Sequence, residues 1–273
     1  MQYIERNITG IDGAEARFVG YIIDNSSEID LQRRRPAVLV VPGGGYEMTS
    51  DREAEPIALQ FLAAGYQAFV LRYSVWPSTY PTALIEAAVA MSLIRDNAEE
   101  WHVDPEAIVV CGFSAGGHLA ANLATSAGDE DIRANGFDPD AVRPNGLMLA
   151  YPVITSGPLA HRGSFDHLLA DAASNEDALH KLSIEEHVDS KTPPVFVWHT
   201  MPDDCVPVEN TLMLVSACKK AGVSVEAHLF PEGGHGLSLG TQETAWGGTE
   251  DNVVPTVQSW MNLAKDWIKR TFA

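Results

Sequence analysis

Apolar and polar positions alternate along this chain with two different periods, and the switches between them outline the elements. AVLVV (Ala37–Val41) is a continuous apolar run that stops at Pro-Gly-Gly-Gly, as expected of a strand buried on both faces. DREAEPIALQFLAAG (Asp51–Gly65) follows, a predicted helix with an acidic first turn and a glycine stop. QAFVLRY (Gln67–Tyr73) predicts the next strand, and Leu84, Ala88, Met91 and Ile94 then recur at helical spacing. AIVVCG (Ala107–Gly112) and HLAANLATSAG (His118–Gly128) repeat the strand-then-helix order. GLMLAYPV (Gly146–Val153), VFVWHT (Val195–Thr200) and VSVEAHLF (Val223–Phe230) predict further strands. Between the last two, ENTLMLVSACKKAG predicts a helix closed by Lys219, Lys220 and Gly222, and VVPTVQSWMNLAKDWIKR closes the chain as an amphipathic helix.

Repeated β-α-β-α order predicts a mostly parallel twisted sheet with helices on both faces. The alternation runs almost end to end, so residues 1–273 are expected to form a single domain. Ile154 to Pro194 breaks the rhythm: it puts about forty residues between two buried strands, where about 2–6 is ordinary. It contains helix-like pieces such as SFDHLLADAAS and IEEHV, and is expected to be a small cap-like excursion over the sheet edge. The first thirty residues suggest an antiparallel start, but the Asp12-Gly13 pair is too weak a turn signal to fix a register.

Composition narrows the classes. Hydrophobic residues make up 45% and charged residues 20%, enough for a full core. The formal charge of −19 disfavours nucleic acid and anionic membranes as partners. Cys111, Cys205 and Cys218 have no zinc-like spacing, and His161, Asp166, His167 and Asp171 match no recognised metal site, so no metal is expected. The N-terminus lacks a basic segment followed by an apolar one, and no apolar run is long enough to cross a bilayer. A cytoplasmic location is the resulting expectation.

Candidate chemistry centres on GFSAGG (Gly112–Gly117). With 17 serines and 22 glycines, chance supplies roughly 0.1 Gly-x-Ser-x-Gly matches in such a chain. This one lies between a predicted strand and a predicted helix, where the motif has mechanical meaning. Glycine at 112 and 116 would remove collisions with the neighbouring strand and helix, lifting Ser114 Oγ above the sheet beside a helix N-terminus. Downstream, Asp203 falls just past a strand on the loop before a helix, with Asp204 as its rival, and His235 falls on a glycine-rich loop after the last strand. All three lie past the carboxyl ends of parallel strands, where such sheets collect their sites.

On these residues the chain resembles the α/β-hydrolase family, over about Arg35 to Arg270. It is similar above all to bacterial esterases of the acetyl-esterase and acetyl-xylan-esterase type, relatives of the prolyl oligopeptidase catalytic domain. The matching stretches are VVPGGGYEMTSDREAEPIALQFLAAGYQAFVLRYSV, GFSAGGHLAANLA, TPPVFVWHTMPDDCVPVENTLMLVSACKKAGV and FPEGGHGLSL. The resemblance implies Ser114 as nucleophile, Asp203 as acid and His235 as base. Asp203 rather than Asp204 is in register with the family's Asp-x-x-Val-Pro. It also implies that PGGGY (Pro42–Tyr46) supplies oxyanion donors. Proline stands where many relatives carry histidine; backbone amides suffice, so Gly44 and Gly45 are candidates, completed by Ala115 N–H. The implied activity is hydrolysis of short acyl esters, acetyl above all, of sugars or xylo-oligosaccharides, with no cofactor.

Several residues carry plainer alternatives. His118 and His199 are expected to be structural, the latter holding the acid loop. Arg52, Glu53 and Glu55 are expected to serve helix capping. Tyr46, Trp76 and Trp246 could line a sugar or acyl pocket, and buried packing is an equal alternative for each. A small-molecule or oligosaccharide ester is the expected partner, and a homo-oligomer is compatible with the sequence. A peptidase or amidase on the same scaffold and a non-catalytic binding protein are the rival readings.

Overall fold

The computed structural model describes residues 1–272. Among them, eight strands form one sheet: β1 (Gln2–Thr9), β2 (Glu15–Ile22), β3 (Arg35–Val41), β4 (Gln67–Arg72), β5 (Val103–Phe113), β6 (Gly146–Ala150), β7 (Val195–Thr200) and β8 (Val225–Phe230). Their spatial order is β1-β2-β4-β3-β5-β6-β7-β8. The β1/β2 and β2/β4 pairs are antiparallel; every other pair is parallel. β1 and β2 form a fully paired hairpin from Gln2↔Ile22 to Thr9↔Glu15, a register that the weak turn signal left open.

The apolar runs of the central strands feed two cores because their side chains alternate across the sheet. Leu39, Phe69, Val110, Leu147 and Val197 face one core, together with the helices Thr82–Asp96 and Ser114–Ala124. Val40, Val70, Val109, Met148 and Trp198 face the other, under the helices Glu55–Ala63 and Trp260–Thr271. The predicted helix from Asp51 opens instead as a 3-10 turn, Asp51–Glu53, and becomes α-helical at Glu55, where Pro56 suits a first turn lacking an amide partner. Helix Glu209–Ala221 ends on Gly222 at φ 76°, a left-handed stop that suits glycine.

The excursion after β6 contributes helices Arg162–Leu169 and Glu176–Lys181. It is fixed to the carboxyl edge of the sheet at several points. Asn210 Oδ1 accepts the N–H groups of Ile154 and Thr155, and Phe165 packs edge-on to His118. His167 Nδ1–H donates to the Gly45 carbonyl at 3.0 Å, so the excursion bears directly on the loop after β3.

The sheet order places the site. From β3 the chain passes to β4 on one side and then to β5 on the other, so the loops leaving the adjacent strands β3 and β5 diverge and open a crevice. PGGGY leaves β3 there, and Ser114 leaves β5.

Candidate active site

β5 runs to Phe113, and the helix begins at Ser114 without a linker. A turn this sharp forces Ser114 to φ 50°, an uncommon value for a non-glycine residue. The flanking glycines make it sterically feasible. A Cβ on Gly112 would lie 2.5 Å from the Gly116 carbonyl oxygen, and one on Gly116 would lie 2.2 Å from that of Pro42. The two collisions anticipated from the motif therefore have named partners: the following helix for Gly112 and the end of β3 with its loop for Gly116.

Ser114 Oγ donates to His235 Nε2 at 2.8 Å. His235 Nδ1–H donates to Asp203 Oδ2 at 2.7 Å. The Asp203 side chain is fully buried, and its Oδ1 accepts the N–H groups of Cys205 and Val206. Burial alone would raise its pKa, yet the bonds from His199, His235 and the Val206 amide hold it well below the usual carboxylate range. Asp204, its neighbour, is exposed. His199, fully buried, holds the Asp203 loop: Nε2–H faces both Asp203 Oδ2 (3.2 Å) and the Val206 carbonyl (3.0 Å), while Nδ1 accepts from Thr211. These partners assign the tautomer.

The third component leaves β3. Gly44 and Gly45 adopt φ 133° and 66°, and a Cβ on Gly44 would lie 2.2 Å from the Met48 carbonyl oxygen. Gly43 N–H is committed to Glu53 Oε2 at 2.9 Å. The Gly44 and Gly45 amides donate to no protein acceptor among the described residues, and both residues line the cavity over Ser114. Ala115 N–H is one of the unpaired donors of a helix first turn. An oxyanion formed at Ser114 thus has free backbone donors on both sides.

The cavity, about 290 Å³, is also lined by His161, Arg52, Cys205 and Trp246. Trp246, read from sequence as a pocket candidate, lies here with the Arg52 guanidinium 5.2 Å from its ring centroid. The other two aromatic candidates lie elsewhere. Tyr46 is buried, its hydroxyl donating to His118 Nδ1 at 2.8 Å, so packing claims it. Trp76 stands exposed beside His167, outside the cavity lining. His118 in turn donates from Nε2 to the Leu182 carbonyl, and burial lowers its pKa to about 4, as suits a neutral packing residue.

Sequence reasoning missed two residues. Glu53 caps no helix: it is buried and bonded to Gly43 and Tyr151. Tyr151, which read as part of a strand, lies one residue past β6 at φ 38° with its ring edge-on to His235. Glu53 is one of four charged residues in Asp51–Glu55 and Tyr151 ends an apolar run, so neither position signals a polar bond. Among the described residues no group of three or more His, Cys, Asp or Glu side chains is placed to hold a metal ion, and no helix is long and apolar enough to cross a membrane.

Comparison with known proteins agrees with this architecture. The chain is 34% identical over 232 residues to the endo-1,4-beta-xylanase B of Butyrivibrio fibrisolvens, covering 83% of this chain and 36% of that protein. It is 29% identical over 257 residues to the acetylxylan esterase of Xylanibacter ruminicola, covering 92% and 48%. The chain therefore spans between about a third and a half of the length of these relatives. Among solved structures, the acetyl ester-xyloside bifunctional hydrolase of Caldicellulosiruptor lactoaceticus superposes with a TM-score of 0.80 at 37% identity, over 94% of this chain and 88% of that one. The BD-FAE family model matches residues 26–218, and with an eight-stranded, mostly parallel sheet beneath the site the chain belongs to this family of α/β hydrolases.

Proposed function

We propose that this chain is a serine carboxylesterase acting on short acyl esters, acetyl above all, of sugars or xylo-oligosaccharides. The observation that carries the reading is the continuous bond series Ser114–His235–Asp203 beside free amides at Gly44, Gly45 and Ala115. His235 Nε2 takes the Ser114 proton as Oγ attacks the ester carbonyl, and Asp203 fixes the tautomer and stabilises the imidazolium. The amides hold the tetrahedral oxyanion. His235 then protonates the leaving alcohol, water enters, and the same steps in reverse free the acid and restore Ser114. No step calls for a cofactor. Relatives named acetylxylan esterase and acetyl ester-xyloside hydrolase support the acetyl and sugar assignments. An open cavity of about 290 Å³ suits a small acyl group with a larger alcohol at its mouth. We take residues 1–273 as one hydrolase unit and place it in the cytoplasm, a reading supported by three unpaired cysteines.

The test is hydrolysis of 4-nitrophenyl acetate and acetylated xylobiose, with a fluorophosphonate probe to mark the nucleophile. The expected outcome is turnover of both esters and labelling that Ser114→Ala abolishes. Folded wild-type protein that neither turns over nor labels overturns the reading in favour of a binding protein. Faster cleavage of a matched acetanilide than of the ester favours an amidase.

A further inference from the structure

Glu53 poses a physical question. It is only 3% exposed, and no Lys, Arg or His lies within ion-pair distance among the described residues. Its partners are neutral donors: Gly43 N–H to Oε2 at 2.9 Å and Tyr151 O–H to Oε1 at 2.6 Å. An apolar residue at this position would leave both of those buried donors without an acceptor, so what Glu53 supplies is two fixed bonds.

The directions of the bonds supply an answer. Tyr151 Oη accepts the Ser238 N–H at 2.8 Å, so its own proton points to Glu53. The series runs Ser238 N–H to Tyr151 O–H to the Glu53 carboxylate, which Gly43 N–H meets from the other side. Two donors converge on one side chain, and only an acceptor-only group satisfies both. The series also joins parts of the site that the sheet keeps apart. Gly43 leaves β3, whereas Ser238 belongs to the loop after β8, three residues past His235, and β5, β6 and β7 lie between these strands. Each end is anchored again. Ser238 Oγ donates to the Arg52 carbonyl, and Trp260 Nε1–H donates to the Ser238 carbonyl. A Cβ on Gly43 would fall 2.7 Å from Glu53 Oε2 and 2.9 Å from Ser114 Cβ, so the loop sits tightly between carboxylate and nucleophile. The Tyr151 ring, at the middle of the series, packs edge-on to His235 with centroids 5.0 Å apart.

We propose that Glu53 and Tyr151 are positioning residues that lock the oxyanion loop and the histidine loop into one register across the sheet. By engaging Gly43 N–H, Glu53 turns the next two amides toward the cavity; by engaging Ser238 N–H, Tyr151 fixes the loop that carries His235. This role rests on the esterase reading, and wild-type turnover is measured first so that the two fail separately.

The experiment compares Glu53→Gln, Tyr151→Phe and the double variant on 4-nitrophenyl acetate, with phenylboronic acid as a mimic of the tetrahedral state. Each single variant is expected to lose about 10- to 100-fold in kcat with KM changed less than about threefold, and to lose boronate affinity in parallel. Because both substitutions break one series, the double variant is expected to match the worse single rather than multiply the losses. Glu55→Gln, which alters a side chain bonded to Arg72 on the neighbouring turn, is expected to retain wild-type kcat. Folded single variants with unchanged kcat and boronate affinity, or multiplicative losses in the double, overturn the proposal. Should the variants not fold, amide exchange in the wild type decides. Gly43 and Ser238 N–H are expected to be strongly protected, and rapid exchange at either would refute the series.

Discussion

At the residue scale, the two aspartates after β7 are the positions that the structure separates most sharply. Asp203 and Asp204 are adjacent, and a one-residue shift at a strand end exchanges their environments. Asp203 is buried and takes four hydrogen bonds, two of them from imidazoles, whereas Asp204 is exposed. Asp203→Asn is therefore expected to lower kcat by about 10³- to 10⁴-fold, through the wrong tautomer at His235. Asp204→Asn is expected to stay within about twofold of wild type, as an exposed charge outside the bond series. Steady-state rates on 4-nitrophenyl acetate check both, and the reverse ranking would reassign the acid. The convergence of Ser114, Asp203 and His235 was legible because each sits at an element boundary with a local signature: a glycine-bracketed turn, a strand end before a helix, a glycine-rich loop. Glu53 and Tyr151 were not, because their partners lie 10 and 98 residues away and one of those is a backbone amide.

At the element scale, helix Thr82–Asp96 carries its own tension. Glu86 is fully buried on it, its oxygens accepting the N–H and O–H of Ser74 just past β4. Burial pushes its pKa up to about 7, and the Ser74 bonds offset only part of that. A carboxyl whose folded pKa lies above its unfolded value near 4.5 favours the fold while protonated. That contribution is full below about pH 4.5 and is lost as pH rises through 7, at most about 3 kcal/mol. Glu86→Gln, neutral throughout, is expected to exceed the wild type in stability at pH 8 by more than at pH 5. Urea denaturation at the two pH values measures the difference, and an equal gap at both would show that Glu86 does not titrate in this range. The strands and helices of the α/β core were legible from period alone, since burial on both faces leaves continuous apolar runs. The β1/β2 register and the start of helix Glu55–Ala63 were not. The first had no turn signal strong enough to set it, and the second follows a 3-10 turn, Asp51–Glu53, that helical period does not distinguish from a first α-turn.

At the scale of the whole molecule, charge is the term that no local reading captures. Even if every one of the 18 Lys and Arg side chains met a carboxylate, 19 acidic groups would remain uncompensated. Several bases are already shared: Arg72 meets Asp51 and Glu55, and Arg143 meets Asp129 and Asp140. Exposed pairs such as Lys191–Asp140 and Arg270–Glu226 contribute little each, and salt weakens them. Self-repulsion, by contrast, is summed over the whole surface and destabilises the compact state. Salt screens both, with a Debye length falling from about 30 Å at 0.01 M to about 8 Å at 0.15 M. The surplus of repulsive pairs over attractive ones therefore decides the sign. The melting temperature is expected to rise by a few degrees between about 10 and 300 mM NaCl, over the range in which screening reaches neighbouring surface charges. A scan by differential scanning fluorimetry measures it. A fall over that range would mean that the ion pairs outweigh the net charge, and that stability rests on specific contacts rather than on relief of a common field.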